Sequence, residues 1–549
     1  MDTQPIRRLP WYLPTYLEAV MVLSFVTFLN PITSFDLWWH LACGREFLAT
    51  GTVPAVDTLS IGSSGGAWTA FYWLWCVVAF SVVWLGGLPL LLTLKAACAA
   101  LSTQLFARIA RESGIRHPVA FLLTVILGIG FLFSQLWNLR AQMTSVVCVP
   151  MMTCLFLRYQ RTGKIPWVRA PLLTCLWANC HAGFVLAIVI WGVFFAGSVT
   201  RWCAGLVEKD QPRRMMGLGV LMLLACCLTP YGPRLLAYPF WYLGNAELQT
   251  RITEWNGILI REYPLLELGL LLLVAVAVVV PFRSSLEQAS LLVISLHFIY
   301  QAVRHMYLFG SFVAPAIGVR VQALLESSGV SPIQPGLGCS ESGSAAGGAE
   351  DSAGRSSRKE DGSTGLKLIL TPSDQSFEPL HDRTWMAWIL ILVISTGLLG
   401  GGYFRDPDHV LNTAVYPLAQ LEFLKDQPQP GRLFNQFYLG GLVLFHLYPG
   451  TKPFVDGRVD VHMDSGAFKA YLACVDQAPG WQTVFFETHR FGWAFLERGS
   501  RLGQALERRG WVEFGPKSAG FSLLRAPPPV TQEAGGSRVD GPLTSHPNQ

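Results

Sequence analysis

The first stretch with the makings of chemistry is Ser34-Phe35-Asp36-Leu37-Trp38-Trp39-His40-Leu41, followed by Gly44-Arg45-Glu46. Asp36 and His40 are four residues apart, so a helix starting at Asp36 carries both on one face. Two uses compete for the carboxylate. It can cap the helix while Trp38 and Trp39 anchor it at a membrane interface. Or, held at the lip of a membrane cavity, it can be tuned by burial into a general base. Other polar groups interrupt apolar runs: Asn138 and Arg140, Asn179 and His181 in WANCHAGF, Thr229-Pro230-Tyr231-Gly232-Pro233, Thr253-Glu254-Trp255-Asn256, and Arg304-His305. Ionisable residues at such depths are functional suspects by default. The plainer alternative is that Arg140 and Arg304 only snorkel to the interface and His181 only bonds its neighbours.

What must position these residues is a membrane scaffold. The chain has 549 residues, 51% hydrophobic and 14% charged, against roughly 25% charged in soluble proteins. Its 19 Trp and 33 Phe suit interfacial aromatic belts. The net charge of +5 is small and forms no basic stripe, which excludes nucleic acid as a partner. Most of the 12 cysteines sit in apolar runs, and none has disulfide-framework or zinc-site spacing. Arg7 and Arg8 precede an apolar run that ends in Asn30-Pro31-Ile32-Thr33 with no small-residue cleavage site, so it is an uncleaved first span.

Spans need about 20 mostly apolar residues. Candidates are 17–33, 88–107, 118–136, 142–157, 168–180, 184–200, 215–230, 264–282, 287–303, 306–321 and 384–402. The stretch 70–86 is also apolar, but counting it as a span moves the next three Arg/Lys clusters outside. Treated as a helix lying flat at the interface, with the N-terminus in the cytoplasm, it leaves Arg7/Arg8, Arg108/Arg111/Arg116, Arg158/Arg161/Lys164/Arg169, Arg201/Lys209/Arg213/Arg214 and Arg283 all inside. The expected architecture is an α-helical polytopic plasma-membrane protein of about eleven spans with a C-terminal extracytoplasmic α/β domain. Residues 1–322 form the membrane domain, with a long outer loop 34–87 holding helices 37–50 and 70–86. A Gly/Ser-rich disordered cytoplasmic linker, 323–383, leads to the last span at 384–402. The outer domain covers 403–526, and a disordered tail covers 527–549.

Within the outer domain, 431–447 (GRLFNQFYLGGLVLFHL) suggests a strand, a Gly-Gly turn and a buried element. Residues 452–462 (KPFVDGRVDVH) and 483–487 (TVFFE) have the pattern of strands, 501–509 of a helix, and 511–525 of a closing hairpin around Pro516-Lys517-Ser518.

Taken together, the first span, the outer loop opened by an acid, two flat helices, and a next span ending in Arg-x-x-Arg resemble the GT-C glycosyltransferases, which include protein O-mannosyltransferases and aminoarabinose transferases. The finer pattern FDLWWHLACGREFLATGTVPAVDTLS, LWANCHAGF, LTPYGPRLL, ITEW, RH and FNQFYLGGLVLFHLYPGTKPFVDGRVDVH is similar to a bacterial family of large membrane proteins related to GT-C enzymes. It spans most of 17–525 outside the linker. The resemblance implies a sugar donor carried on a polyprenyl phosphate and a catalytic acid in the first outer loop, where Asp36 is the matching position. Cations could stabilise the leaving phosphate's growing charge, for which His181 and Arg140 are the best candidates, and His40, Glu254, Arg304 and His305 join them as candidate donor-phosphate or substrate-binding residues. The chain departs from the family in having Leu37, where many members carry a second acid, and His181, where some carry a Lys.

Phe454-Val455-Asp456-Gly457-Arg458-Val459-Asp460 is either a tight strand end with a local Asp456–Arg458 ion pair, or a place where Arg458 and Asp460 help bind an acceptor. No cofactor is required by these motifs. A divalent metal is the one candidate, although a single acid makes a poor metal site. The expected function is transfer of a sugar from a polyprenyl-phosphate donor on the extracytoplasmic face. The alternatives are a lipid or solute transporter, against which the lack of an internal repeat counts, and a non-catalytic scaffold with a GT-C-like fold.

Overall fold

The computed structural model describes residues 12–132, 136–245, 251, 253–255, 257–280, 284–328 and 384–527. Nearly all of the linker expected at 323–383 and of the tail expected at 527–549 lies outside the described residues. The chain divides into two compact units, one made of Met1–Asp57 with Gly65–Tyr416, the other of Thr58–Ser64 with Pro417–Gln549.

The first unit is helical. Helices α1 (Tyr12–Thr27), α2 (Asp36–Thr50), α3 (Trp73–Glu112) and α4 (Pro118–Gly130) are followed by Met143–Thr162, Arg169–Cys180, Val185–Cys203, Asp210–Cys226, Pro264–Val279, Leu286–Gln301, Ala314–Ser327 and Thr384–Gly400. Each segment expected to be a span overlaps one of these helices. Local chemistry sets several ends: Pro118 opens α4 at a position where its missing N–H is not needed, and Ser285 caps Leu286–Gln301 by accepting from the Gln288 N–H. The helical run α3 is broken where 70–86 was expected to end. Gly86 leaves the helix, Gly87 takes φ 69°, ψ −174°, and Pro89 starts the second half. Only glycine adopts the Gly87 conformation without strain.

By length and composition, two helices among the described residues are long and apolar enough to cross a membrane, Trp73–Glu112 and Ala182–Cys203; shorter apolar helices include Pro118–Gly130, Pro264–Val279 and Thr384–Gly400. Pro264–Val279 buries Leu266, Gly269, Leu273 and Val276, yet leaves Leu268, Leu271, Val274 and Val278 exposed. A helix apolar on all sides, with its outer face uncovered, has a surface that water does not tolerate as a large patch. After Thr384–Gly400 the chain stays with this unit: the Ile32 N–H donates to Val410 O at 2.9 Å and the Asn412 N–H to Ile32 O at 3.0 Å.

The second unit is a small mixed α/β unit. Strands β1 (Arg432–Asn435), β2 (Phe491–Glu497), β3 (Val512–Phe514) and β4 (Phe521–Arg525) form one sheet in the order β1-β2-β4-β3. β1 pairs parallel to β2, with Leu433 opposite Trp493, while β4 runs antiparallel to both β2 and β3, the latter pair being the expected hairpin. Helices Gly440–His446, Ala467–Val475 and Arg501–Glu507 accompany the sheet, and Phe434, Phe454, Phe485 and Phe491 meet in the core.

Three expectations need correction here. Gly440-Gly441 is the start of a helix, not a turn. Residues 452–462 are not a strand: an irregular stretch leads into the short helix Val459–Asp464. Residues 483–487 lie in a π-helical turn, Thr483–Thr488, that buries Phe485. The strand that does sit between β1 and β4 is Phe491–Glu497. Thr58–Ser64, from the loop between α2 and α3, completes this unit: the Ile61 and Gly62 N–H groups donate to Pro453 O (2.8 Å) and Phe454 O (3.0 Å), and Lys452 Nζ donates to Thr58 O (2.7 Å).

Candidate functional site

The site is built on α2. Phe35 precedes this helix without a side-chain cap, so Asp36 occupies its first turn instead of capping it, where a negative charge suits the helix dipole. Asp36 Oδ1 accepts from Trp39 Nε1 at 3.3 Å. The helix is fixed on both sides. Gly44 lies against α3 so closely that a Cβ would fall 2.1 Å from Cys76 O. Next to Asp36, the ring of Phe35 packs on Tyr416, whose hydroxyl donates to Ser34 O at 3.1 Å.

His40 is part of this fixation. It is 3% exposed, packed among Trp39, Tyr72 and Trp75, and its Nδ1 lies 3.2 Å from Cys76 Sγ. Burial, with Arg140 and His181 nearby, holds its ring well below the usual imidazole range. His40 lies one helical turn on from Asp36, as a buried ring packed among aromatic side chains.

Arg140 is the centre of the site. Its Nε lies 3.1 Å from Asp36 Oδ2, and its Nη1 is ion-paired with Glu254. Both carboxylates, from α2 and from the turn Thr253–Trp255, therefore converge on one guanidinium. Its Nη2 makes no hydrogen bond among the described residues, and all three side chains are partly exposed. A planar guanidinium with a spare donor suits bidentate capture of a phosphate.

A second cation stands behind Glu254. The guanidinium of Arg304 stacks on the Trp255 ring at 4.3 Å, and the edge of the same ring faces His305. Gln142 Nε2 donates to Arg304 O at 3.0 Å, tying the Arg140 loop to the turn Val303–His305. His305 Nδ1–H donates to Phe298 O at 3.1 Å, which leaves Nε2 as an acceptor.

His181 takes a different part from the one expected. The Gly183 N–H donates to His181 Nδ1 at 3.1 Å, and the same nitrogen is 2.7 Å from Ser145 Oγ, which itself accepts from Trp177 Nε1. A ring whose Nδ1 accepts is neutral and keeps its proton on Nε2. His181 thus carries its proton on Nε2 as a neutral ring, not as a second cation. The other interrupting residues secure the walls: Asn179 accepts from Trp73 Nε1 (2.7 Å) and donates to Leu228 O (3.0 Å), while the Tyr231 hydroxyl bonds Pro54 O and the Ala70 N–H. Gln142 and Ser145 were missed in the sequence. The available signal was a polar pair in an otherwise apolar run.

Arg458 and Asp460 belong to the second unit and are buried there. Arg458 Nε donates to Asp456 Oδ1 at 2.8 Å and Nη2 to Oδ2 at 2.6 Å, so the local ion pair is the observed arrangement. Despite burial, the Arg458 guanidinium holds Asp456 well below the usual carboxylate range, whereas burial pushes Asp460 up to about 6 against the pull of Arg458. The Asp456 N–H donates to His462 Nε2 (2.9 Å), so His462 Nδ1–H faces Ser63 Oγ, 2.5 Å away. Among the described residues, no three His, Cys, Asp or Glu gather as a metal set.

Comparison of the whole chain with solved structures finds oligosaccharyltransferases of Archaeoglobus fulgidus. The AglB structure in complex with an inhibitory peptide and a dolichol-phosphate matches with a TM-score of 0.55 at 10% identity, over 89% of this chain and 70% of that one. The chain shares the fold of this oligosaccharyltransferase. The oligosaccharyltransferase tethered to an acceptor peptide matches with a TM-score of 0.55 at 11% identity, over 89% of this chain and 69% of that one, and the apo form with 0.52 at 10%, over 89% and 70%. No family model and no curated protein sequence matches the chain.

Proposed function

We propose that this protein is a polytopic membrane glycosyltransferase that moves a sugar from a polyprenyl-phosphate carrier to an acceptor on the extracytoplasmic face. The observation that carries the proposal is the convergence of Asp36, Glu254 and Arg140, with Arg304 behind them, on a GT-C scaffold. The neighbour that binds dolichol-phosphate supports a carrier of that chemistry. The exposed apolar helix faces support a bilayer around the first unit, threaded by the eleven expected spans.

In the reaction, the acceptor's nucleophilic atom attacks the anomeric carbon as its proton passes to an Asp36 carboxylate oxygen. The bond from that carbon to the phosphate oxygen breaks, and its electron pair stays on the phosphate. Arg140 and Arg304 offset the growing negative charge, and His181 Nε2–H supplies a neutral donor.

The test is transfer of labelled sugar from polyprenyl-phosphate-sugar extracts by purified protein in nanodiscs. Asp36→Asn, still monodisperse on size exclusion, is expected to lose about 10²- to 10⁴-fold in rate. Wild-type protein that transfers nothing across several donor classes would remove the proposal and favour a transporter or scaffold.

A further inference from the structure

We infer that Arg140 fills the place of a divalent cation between Asp36 and Glu254, so that the site engages a phosphate through a built-in guanidinium and takes no metal. The phosphate ligand rests on the glycosyl-transfer proposal; the geometry does not.

A magnesium-like ion is commonly held by one or two carboxylates, with water and substrate phosphate completing its shell. Asp36 and Glu254, brought together from α2 and the turn Thr253–Trp255, are such a pair. The position between them is taken by the Arg140 side chain, with Nε 3.1 Å from Asp36 and Nη1 paired to Glu254. A guanidinium stays charged at any working pH and does not leave by dilution or chelation. A metal ion in the same place would meet that fixed positive charge and would have to pull two carboxylates away from it.

The surroundings hold Arg140 there from both sides. Gln142, two residues on, is bonded to Arg304 O, and Arg304 stacks on Trp255 beside Glu254. A phosphate that draws Arg140's donors toward itself releases Asp36 from its ion pair. Arrival of the donor thereby frees the carboxylate to accept the acceptor's proton.

The experiment is a Mn2+ titration followed by EPR on full-length protein in phosphatidylcholine nanodiscs. Wild type is expected to show no bound Mn2+ that depends on Asp36. Arg140→Ala is expected to gain a site at least about tenfold tighter than any in wild type, and to lose it when Asp36→Asn is added. Arg140→Gln, closer in shape, serves if the alanine variant fails to fold. Wild-type binding of Mn2+ that disappears in Asp36→Asn or Glu254→Gln overturns the inference, as does a folded Arg140 variant that gains no site. The two proposals fail separately. Sugar transfer abolished by EDTA and restored by Mn2+ sinks this inference and leaves glycosyl transfer standing. Wild-type protein without transfer, but with the expected Mn2+ pattern, does the reverse.

Discussion

Replacing Asp456 by Asn would remove one charge from a fully buried pair and take from Arg458 its bidentate partner. Arg458 makes two side-chain hydrogen bonds to Asp456, at 2.8 and 2.6 Å, and its backbone N–H adds a third at 3.0 Å. Both side chains are 0% exposed. The loss is set by a buried guanidinium deprived of its bidentate carboxylate, about 3–5 kcal/mol. Domains are stable by about 5–15 kcal/mol, so the second unit would lose a large part of its stability. At about 1.4 kcal/mol per factor of ten, amides of Phe491–Glu497 that exchange only when this unit opens should speed up roughly a hundred- to several-thousand-fold. The assay is hydrogen–deuterium exchange on full-length protein in nanodiscs, reading peptides from β2. Asp456→Leu combined with Arg458→Met removes both charges and should recover most of the protection. Asp456→Asn exchanging within about tenfold of wild type would refute the claim that this pair carries the fold. A double variant as open as the single one would shift the cause from charge to packing.

Asp460 gives a pH signature of the opposite sign. Its folded pKa of about 6 lies above the ordinary 3.8, so between these values the folded chain keeps a proton that the unfolded chain releases, and stability falls as pH rises. Asp460→Asn should flatten that window and stabilise the second unit at pH 7 by up to about 3 kcal/mol, read by pulse proteolysis in urea at pH 4.5 and 7. Asp456, whose pKa is depressed, contributes stability above about pH 4 that is lost on further acidification. In the first unit, Gly44→Ala places a Cβ against the Cys76 carbonyl, so α2 must shift from α3. The expected cost is about 1–3 kcal/mol in thermal melting, together with a loss of sugar transfer because Asp36 moves with the helix.

Much of the helical scaffold was legible because apolar helices announce themselves by apolar length, and because Pro118, Gly86-Gly87 and Pro89 punctuate them. Asp36 at the start of α2, and the depth of Arg140, Glu254 and Arg304, were legible for the same reason: charge is conspicuous in an apolar run. Their pairing was not, since it depends on how α2, the Arg140 loop and the turn at Glu254 pack in three dimensions. Nor was the tautomer of His181, which follows from the Gly183 N–H and Ser145.

In the second unit the alternation in KPFVDGRVDVH mimicked a pleat. It arises instead from a buried ion pair and a buried histidine, with Asp456 bonded to Arg458 and its N–H to His462. The true central strand, Phe491–Glu497, is buried on both faces along most of its length, so it shows no alternation to read. No local feature of Thr58–Ser64 marks it as part of that unit.

That last segment gives the protein an order of assembly. Ribosomes deliver Thr58–Ser64 well before Pro453, Phe454 and His462, which its backbone and Ser63 serve; Ser63 and His462 lie 399 residues apart. The second unit therefore cannot close from residues 417 onward alone; it must retrieve a loop between α2 and α3, a contact of long sequence separation and correspondingly slow closure. Once closed, it is joined covalently to the first unit at three places, after Asp57, after Ser64 and before Pro417, so cutting any one of these joints leaves the other two holding.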